Sequence, residues 1–113
     1  MLLTILRIIA AIATILTGAA SLLWPLNVQD FTGLTANGGR GVTEIRTVLG
    51  ALFIGLGAAA LLFNAPETYK MLGIMYLAMA LVRGISMVLD KSVVSSNVIS
   101  VIAEVIFGII LVL

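Results

Sequence analysis

The sequence predicts an all-α integral membrane protein, with four transmembrane helices in an antiparallel up-down bundle. Three observations predict it. Of 113 residues, 62% are hydrophobic and 10% charged, against roughly 25% charged in an ordinary soluble domain, so too little polar surface exists to cover a water-facing globule. The apolar residues gather into four runs, each close to the roughly 20 residues that cross a hydrocarbon core. Short connections separate the runs, which makes neighbouring helices antiparallel and sets both termini on one face. The chain reads as a single domain over 1–113.

The first span covers about 2–24 and is broken only by Arg7. Gly18-Ala19-Ala20-Ser21 resembles a signal-peptide cleavage site, but the stretch before Arg7 is apolar where a signal peptide carries its charge. Pro25 stops the helix, and Trp24 falls where an interfacial anchor belongs. Residues 26–41 form the one polar connection of any length. Within it Asn37-Gly38-Gly39 is turn chemistry, while Leu26, Val28, Phe31 and Leu34 suit the headgroup region. The second span, about 42–63, opens with Glu44 and Arg46 and then runs from Thr47 to Phe63 without a charge. Asn64-Ala65-Pro66 is a tight connection, and Glu67 suits the first turn of the next helix, where the dipole favours a carboxylate. The third span, about 68–89, contains Arg83 and is closed by Asp90-Lys91. The fourth, about 93–113, begins with Ser95, Ser96 and Asn97, holds Glu104 as its one interior charge, and is expected to leave no soluble tail. Arg7 and Lys70 stand on the termini side and Arg40, Arg46 and Lys91 on the other. By the excess of Lys and Arg in cytoplasmic loops, that favours termini outside.

An ionisable group inside a span costs a few kcal/mol and is therefore expected to be paired or functional. At ~1.5 Å of rise per residue, Arg83 lies roughly 10 Å below the face that carries the first and third loops, and Glu104 roughly 16 Å below it. Arg7 enters from the opposite face, so Arg7 and Arg83 compete for Glu104. Glu44 and Arg46, two residues apart, point about 200° apart and cannot pair with each other. Each is expected to look to another helix or to the interface. Tyr76, Arg83, Met87 and Asp90 share one helical stripe. The expected intramembrane network is Glu44, Arg46, Arg83, Asp90 and Glu104. In it Glu44 and Glu104 flank Arg83, Arg46 lies near Asp90 or snorkels to headgroups, and Arg7 and Tyr76 are secondary candidates. A structural ion network that fixes helix register is set against a substrate or proton site and against a docking site for another subunit.

Small residues permit close helix contact in lipid. The expected stripes are Ala10, Thr14, Thr17 and Ser21 on the first helix, Glu44, Ala51, Gly55 and Ala58 on the second, and Gly73, Ala80 and Gly84 on the third. Met71, Met75, Met79 and Met87 read as core or lipid filler.

The chain has no histidine, no cysteine and a formal net charge of +1. Without them a hydrolase, metalloenzyme or thiol mechanism lacks its usual parts, and haem has only Met or Tyr to ligate it. No enzyme activity, cofactor or metal is expected. Near-neutral charge leaves no basic footprint for nucleic acid and no polybasic run for anionic lipid.

Thr43-Glu44-Ile45-Arg46, followed by Gly50 and Gly55-Leu56-Gly57, resembles the signature of small bacterial four-helix membrane proteins in the domain-of-unknown-function family numbered 4345. Arg83 with Ser86 and Asp90, and Glu104 ahead of Gly108, are similar to that family's later motifs, although Asp90-Lys91 stands where Asp-Gly is expected. The resemblance spans nearly the whole chain. It implies the four-helix fold, a membrane location, and Glu44, Arg46, Arg83 and Glu104 as the defining polar positions. It implies no activity.

The functional expectation is a non-enzymatic, multi-pass protein of the cytoplasmic membrane, an accessory or structural subunit or small homo-oligomer. Its partners are membrane lipids and a membrane protein or a second copy. The alternative is a small transporter, or a protein that binds lipid, quinone or another lipophile through Glu104 and Arg83. The chain resembles the small multidrug exporters in size alone, since their essential carboxylate lies in the first helix and this first helix carries only Arg7.

Overall fold

The computed structural model describes residues 1–113. The chain is helical throughout and has no strand: α1 (Leu2–Leu23), α2 (Val28–Thr32), α3 (Gly38–Glu44), a π-helical segment (Ile45–Ala51), α4 (Leu52–Phe63), α5 (Pro66–Leu89) and α6 (Ser95–Val112). Segment α3, the π-helical turns and α4 form one continuous helix of 26 residues. With α1, α5 and α6 it gives four helices long and apolar enough to cross a membrane. The chain divides into two compact units, Ala11–Phe63 on one hand, and Met1–Ala10 with Asn64–Leu113 on the other.

In the unit Ala11–Phe63, α1 contributes a buried stripe of Ala11, Thr14, Gly18 and Ser21. These side chains are small, and the helix opposite comes close enough to need that. A Cβ placed on Gly18 would sit 2.6 Å from the Gly50 carbonyl oxygen, and one on Gly57 would sit 2.8 Å from that of Ala11. Because Gly18 meets Gly50 while Ala11 meets Gly57, the two helices run antiparallel. The expected stripe is right in kind and wrong in one member: Thr17 is exposed and turns its hydroxyl to the Ala13 carbonyl, 2.8 Å away.

The second long helix departs further from expectation. Its buried positions are Ile45, Gly50, Gly57 and Ala60, whereas Glu44, Ala51 and Gly55 are exposed. The cause is the π-helical segment. Ile45 and Gly50 are five apart, the spacing of an i→i+5 turn, and the segment ends with the Leu52 N–H donating to the Thr47 carbonyl, again five residues back. One surplus residue rotates everything before it relative to everything after it. A stripe drawn with a uniform helical period therefore selects the wrong face.

The helix also starts at Gly38, earlier than Val42. Arg40 and Glu44 pair at 2.6 Å across one turn, and the Thr43 hydroxyl donates to the Gly39 carbonyl at 3.0 Å. Before it, α2 gives the polar connection a helical turn, closed by Gly33 at φ 76° with its N–H on the Gln29 carbonyl at 2.8 Å. The Gln29 side-chain oxygen accepts from the Ala36 N–H and ties the rest of the connection down.

In the other unit, α5 begins with Pro66 in its first turn, where the missing N–H costs nothing. Glu67 follows in the same turn. Tyr69 is buried and donates its hydroxyl to Asn64 Oδ1 at 2.9 Å, tying the residue before Ala65-Pro66 to the first turn of α5. The far end of α5 turns through Lys91 at φ 52°, and the Ser92 N–H returns to the Met87 carbonyl at 2.9 Å, the long-range bond of a Schellman cap. Helices α5 and α6 pack along their length in antiparallel order, with early α5 (Gly73) against late α6 (Gly108 and Leu111).

Candidate functional site

Helical spacing builds the site. On α5, Tyr76, Ala80, Arg83 and Met87 follow one another at four, three and four residues and lie on the face turned to α6; Tyr76, Ala80 and Met87 are buried. On α6, Glu104, Gly108 and Leu111 are the buried positions, and Asn97 lies two turns before Glu104 on the same face.

Arg83 joins the two faces. Its Nε–H donates to Glu104 Oε1 and its Nη2 to Glu104 Oε2, both at 2.9 Å, the fork-on-fork geometry that makes Arg–carboxylate pairs strong and directional. Its Nη1 donates to Asn97 Oδ1 at 3.0 Å, and Asn97 Nδ2 donates to the Ser92 carbonyl at 2.9 Å. One guanidinium thus ties α5 to α6 and, through Asn97, to the turn between them. In the register set by Gly73 and Gly108, Arg83 and Glu104 stand roughly six residues out of level, about 9 Å of helix rise. The gap closes because side chains on both helices lean toward their own N-termini, and in an antiparallel pair those leanings converge. Glu104 is 5% exposed, and the Arg83 side chain 32%. Behind the pair, Tyr76 and Phe107 meet edge to face with ring centroids 5.6 Å apart.

A cleft of about 610 Å³ opens beside Arg83. Ser86, Asp90 and Asn97 line it toward the α5–α6 turn, and Ala78, Met79 and Val82 line it toward the middle of α5. Of the five N–H donors on a guanidinium, three of those on Arg83 are engaged. The remaining two belong to Nη1 and Nη2.

Glu44, expected to look to another helix or to the interface and to flank Arg83, pairs with Arg40 on its own helix, and both side chains are more than half exposed. Arg46 is exposed within the π-helical segment. Asp90 is exposed at the end of α5; its N–H closes the helix on the Ser86 carbonyl at 2.7 Å, and the residue is part of the cleft lining. Arg7 is half-buried, and its Nε is enclosed without a hydrogen-bond partner. Trp24 is exposed beyond the last turn of α1. Sequence reasoning missed Asn97, whose signal was its spacing of seven residues from Glu104. No group of three or more acidic side chains stands together.

Fold and site together define an all-helical protein with four helices able to span a membrane and a buried Arg–Glu pair fastening the last two. Comparison with protein-family models, with curated proteins and with solved structures gives no match.

Proposed function

We propose that this chain is a non-enzymatic, multi-pass protein of the bacterial cytoplasmic membrane, working as an accessory or structural subunit or as a small homo-oligomer. The four spans are taken to form an antiparallel up-down bundle, as in the small membrane family that the sequence resembles. The observation that carries the reading is the Arg83–Glu104 pair. Both oxygens of the carboxylate are held by one guanidinium, whose third nitrogen is held by Asn97. A group that shuttles protons or binds and releases an ion would have to break two charge-assisted bonds in each cycle. A fastening between helices needs only to keep them.

The lipid setting is supported by the exterior. Between 17% and 28% of the residues in each span window are buried, and Leu16, Leu62, Met71, Leu81, Val88 and Ile99 are all more than half exposed. Water penalises such a surface, at roughly 25 cal/mol per Å², and hydrocarbon does not. Trp24 is placed for an aromatic anchor.

Purification of the tagged chain from native membranes in mild detergent tests the proposal. A stoichiometric partner or a defined homo-oligomer is expected; a lone monomer overturns it. A second reading, a lipophile-binding protein, is favoured by the cleft beside Arg83. If such a protein works as a small transporter, Glu104→Gln abolishes proton-dependent substrate movement in liposomes while the fold persists.

A further inference from the structure

The cleft on α5 is graded, polar at one end and apolar at the other. Toward the turn the lining residues Ser86, Asp90 and Asn97 carry a hydroxyl, a carboxylate and an amide; toward the middle of the helix the lining residues Ala78, Met79 and Val82 are apolar. From Asp90 to Ala78 is twelve residues, about 18 Å of helix. A volume near 610 Å³ lies within the usual range for small-molecule pockets, roughly 300–1,000 Å³.

Charge decides what kind of head fits. Arg83 brings one positive charge, but Glu104 cancels it at 2.9 Å. The ion pairs of the chain are Arg40–Glu44 and Arg83–Glu104, which leaves the Asp90 carboxylate without one. Lys91, its neighbour in sequence, makes no ion pair with it. The polar end therefore carries one uncompensated negative charge beside hydrogen-bonding groups, and an anionic head would be repelled there.

We propose that this cleft seats an amphiphile bearing a protonated amine, its ammonium on Asp90 and its alkyl chain along Ala78, Met79 and Val82. The proposal rests on the membrane reading above, because it sets the tail at the depth of the hydrocarbon and the head at the turn. Two sources share this chemistry: an amine-headed phospholipid and a free long-chain amine.

The test is native mass spectrometry of the full chain in mild detergent, with circular dichroism to confirm that each variant stays helical. The probes are phosphatidylethanolamine, phosphatidylglycerol, dodecylamine and dodecanol. Retention of phosphatidylethanolamine over phosphatidylglycerol, or of dodecylamine over dodecanol, supports the proposal and identifies the source. Asp90→Asn is expected to weaken retention about fivefold, the size of one partly exposed ion pair. Val82→Trp, which fills the apolar end, should weaken it as well. Equal retention of charged and neutral heads, or full retention by Asp90→Asn, overturns the proposal. Extraction of the chain from membranes by alkaline carbonate is scored separately. Release there defeats the membrane reading, whereas loss of head selectivity in a carbonate-resistant protein defeats only the cleft.

Discussion

Gly73 and Gly108 stand back to back where α5 meets α6. A Cβ added to Gly73 would lie 3.0 Å from the Gly108 carbonyl oxygen, and one added to Gly108 would lie 3.3 Å from that of Gly73. The contact sets how near the helices approach and so whether Arg83 reaches Glu104 with both arms of its fork. Gly73→Ala also drives a methyl to 2.8 Å from Leu111 Cβ. We expect a loss of about 1–3 kcal/mol, the usual cost of overpacking, read as a lower unfolding midpoint in mild detergent. Gly55 provides the control. Nothing lies within 4 Å of its added Cβ, so Gly55→Ala should be neutral or stabilising by up to about 1 kcal/mol.

Breaking one side of the Arg83–Glu104 pair strands the other. Glu104→Ala is expected to destabilise near the lower end of the about 3–5 kcal/mol range for buried pairs, since Arg83 is about a third exposed. Replacing both residues with Leu should cost less than either single change, because no charge is then left buried. The comparison is a double-mutant cycle in detergent. By contrast, Arg40→Ala should cost under about 1 kcal/mol, as expected of an exposed pair.

Much of the fold was legible because hydrophobic run length alone specifies it. Four runs near the width of a bilayer, punctuated by Pro25, Asn64-Ala65-Pro66 and Asp90-Lys91, leave little choice of element or order. The Arg83–Glu104 pairing was legible as well, since depth along each helix brought the two within reach. Asn97 was not, because a polar residue in a first helical turn reads as a start signal before it reads as a partner. Arg40 escaped for a related reason. Gly38, Gly39 and Gly41 are poor helix formers, so the helix was expected to begin after Arg40, and the one-turn pair with Glu44 disappeared with it. The π-helical segment had no sequence signature; a surplus residue in a helix is a matter of backbone hydrogen bonds.

Arg7 carries an enclosed Nε with no partner. An unsatisfied buried polar atom costs about 1–3 kcal/mol, so Arg7→Met, similar in reach and without the donor, should raise the unfolding midpoint. A lowered midpoint would show that Arg7 has a partner in the assembled protein, and cross-linking from that position would find it.

Lys91 holds a left-handed φ of 52° at the end of α5, a conformation that costs a residue with a Cβ roughly 1–2 kcal/mol. Lys91→Gly relieves that strain, against which stands the greater freedom of glycine in the unfolded chain. The net expectation is a gain of up to about 1 kcal/mol, with the Ser92–Met87 return bond kept. Thermal unfolding monitored by circular dichroism measures it.

The extra residue in the turns between Ile45 and Ala51 works as a swivel. Each added residue in a helix carries about 100° of rotation, so Arg40 and Glu44 are aimed through roughly a quarter-circle from where an uninterrupted helix would point them. Shortening that stretch by one residue would swing the charged end of the rod around its axis while leaving the seam of Gly57 and Ala60 in place. A change of composition is not needed to re-aim this end of the protein; a change of length by one is enough.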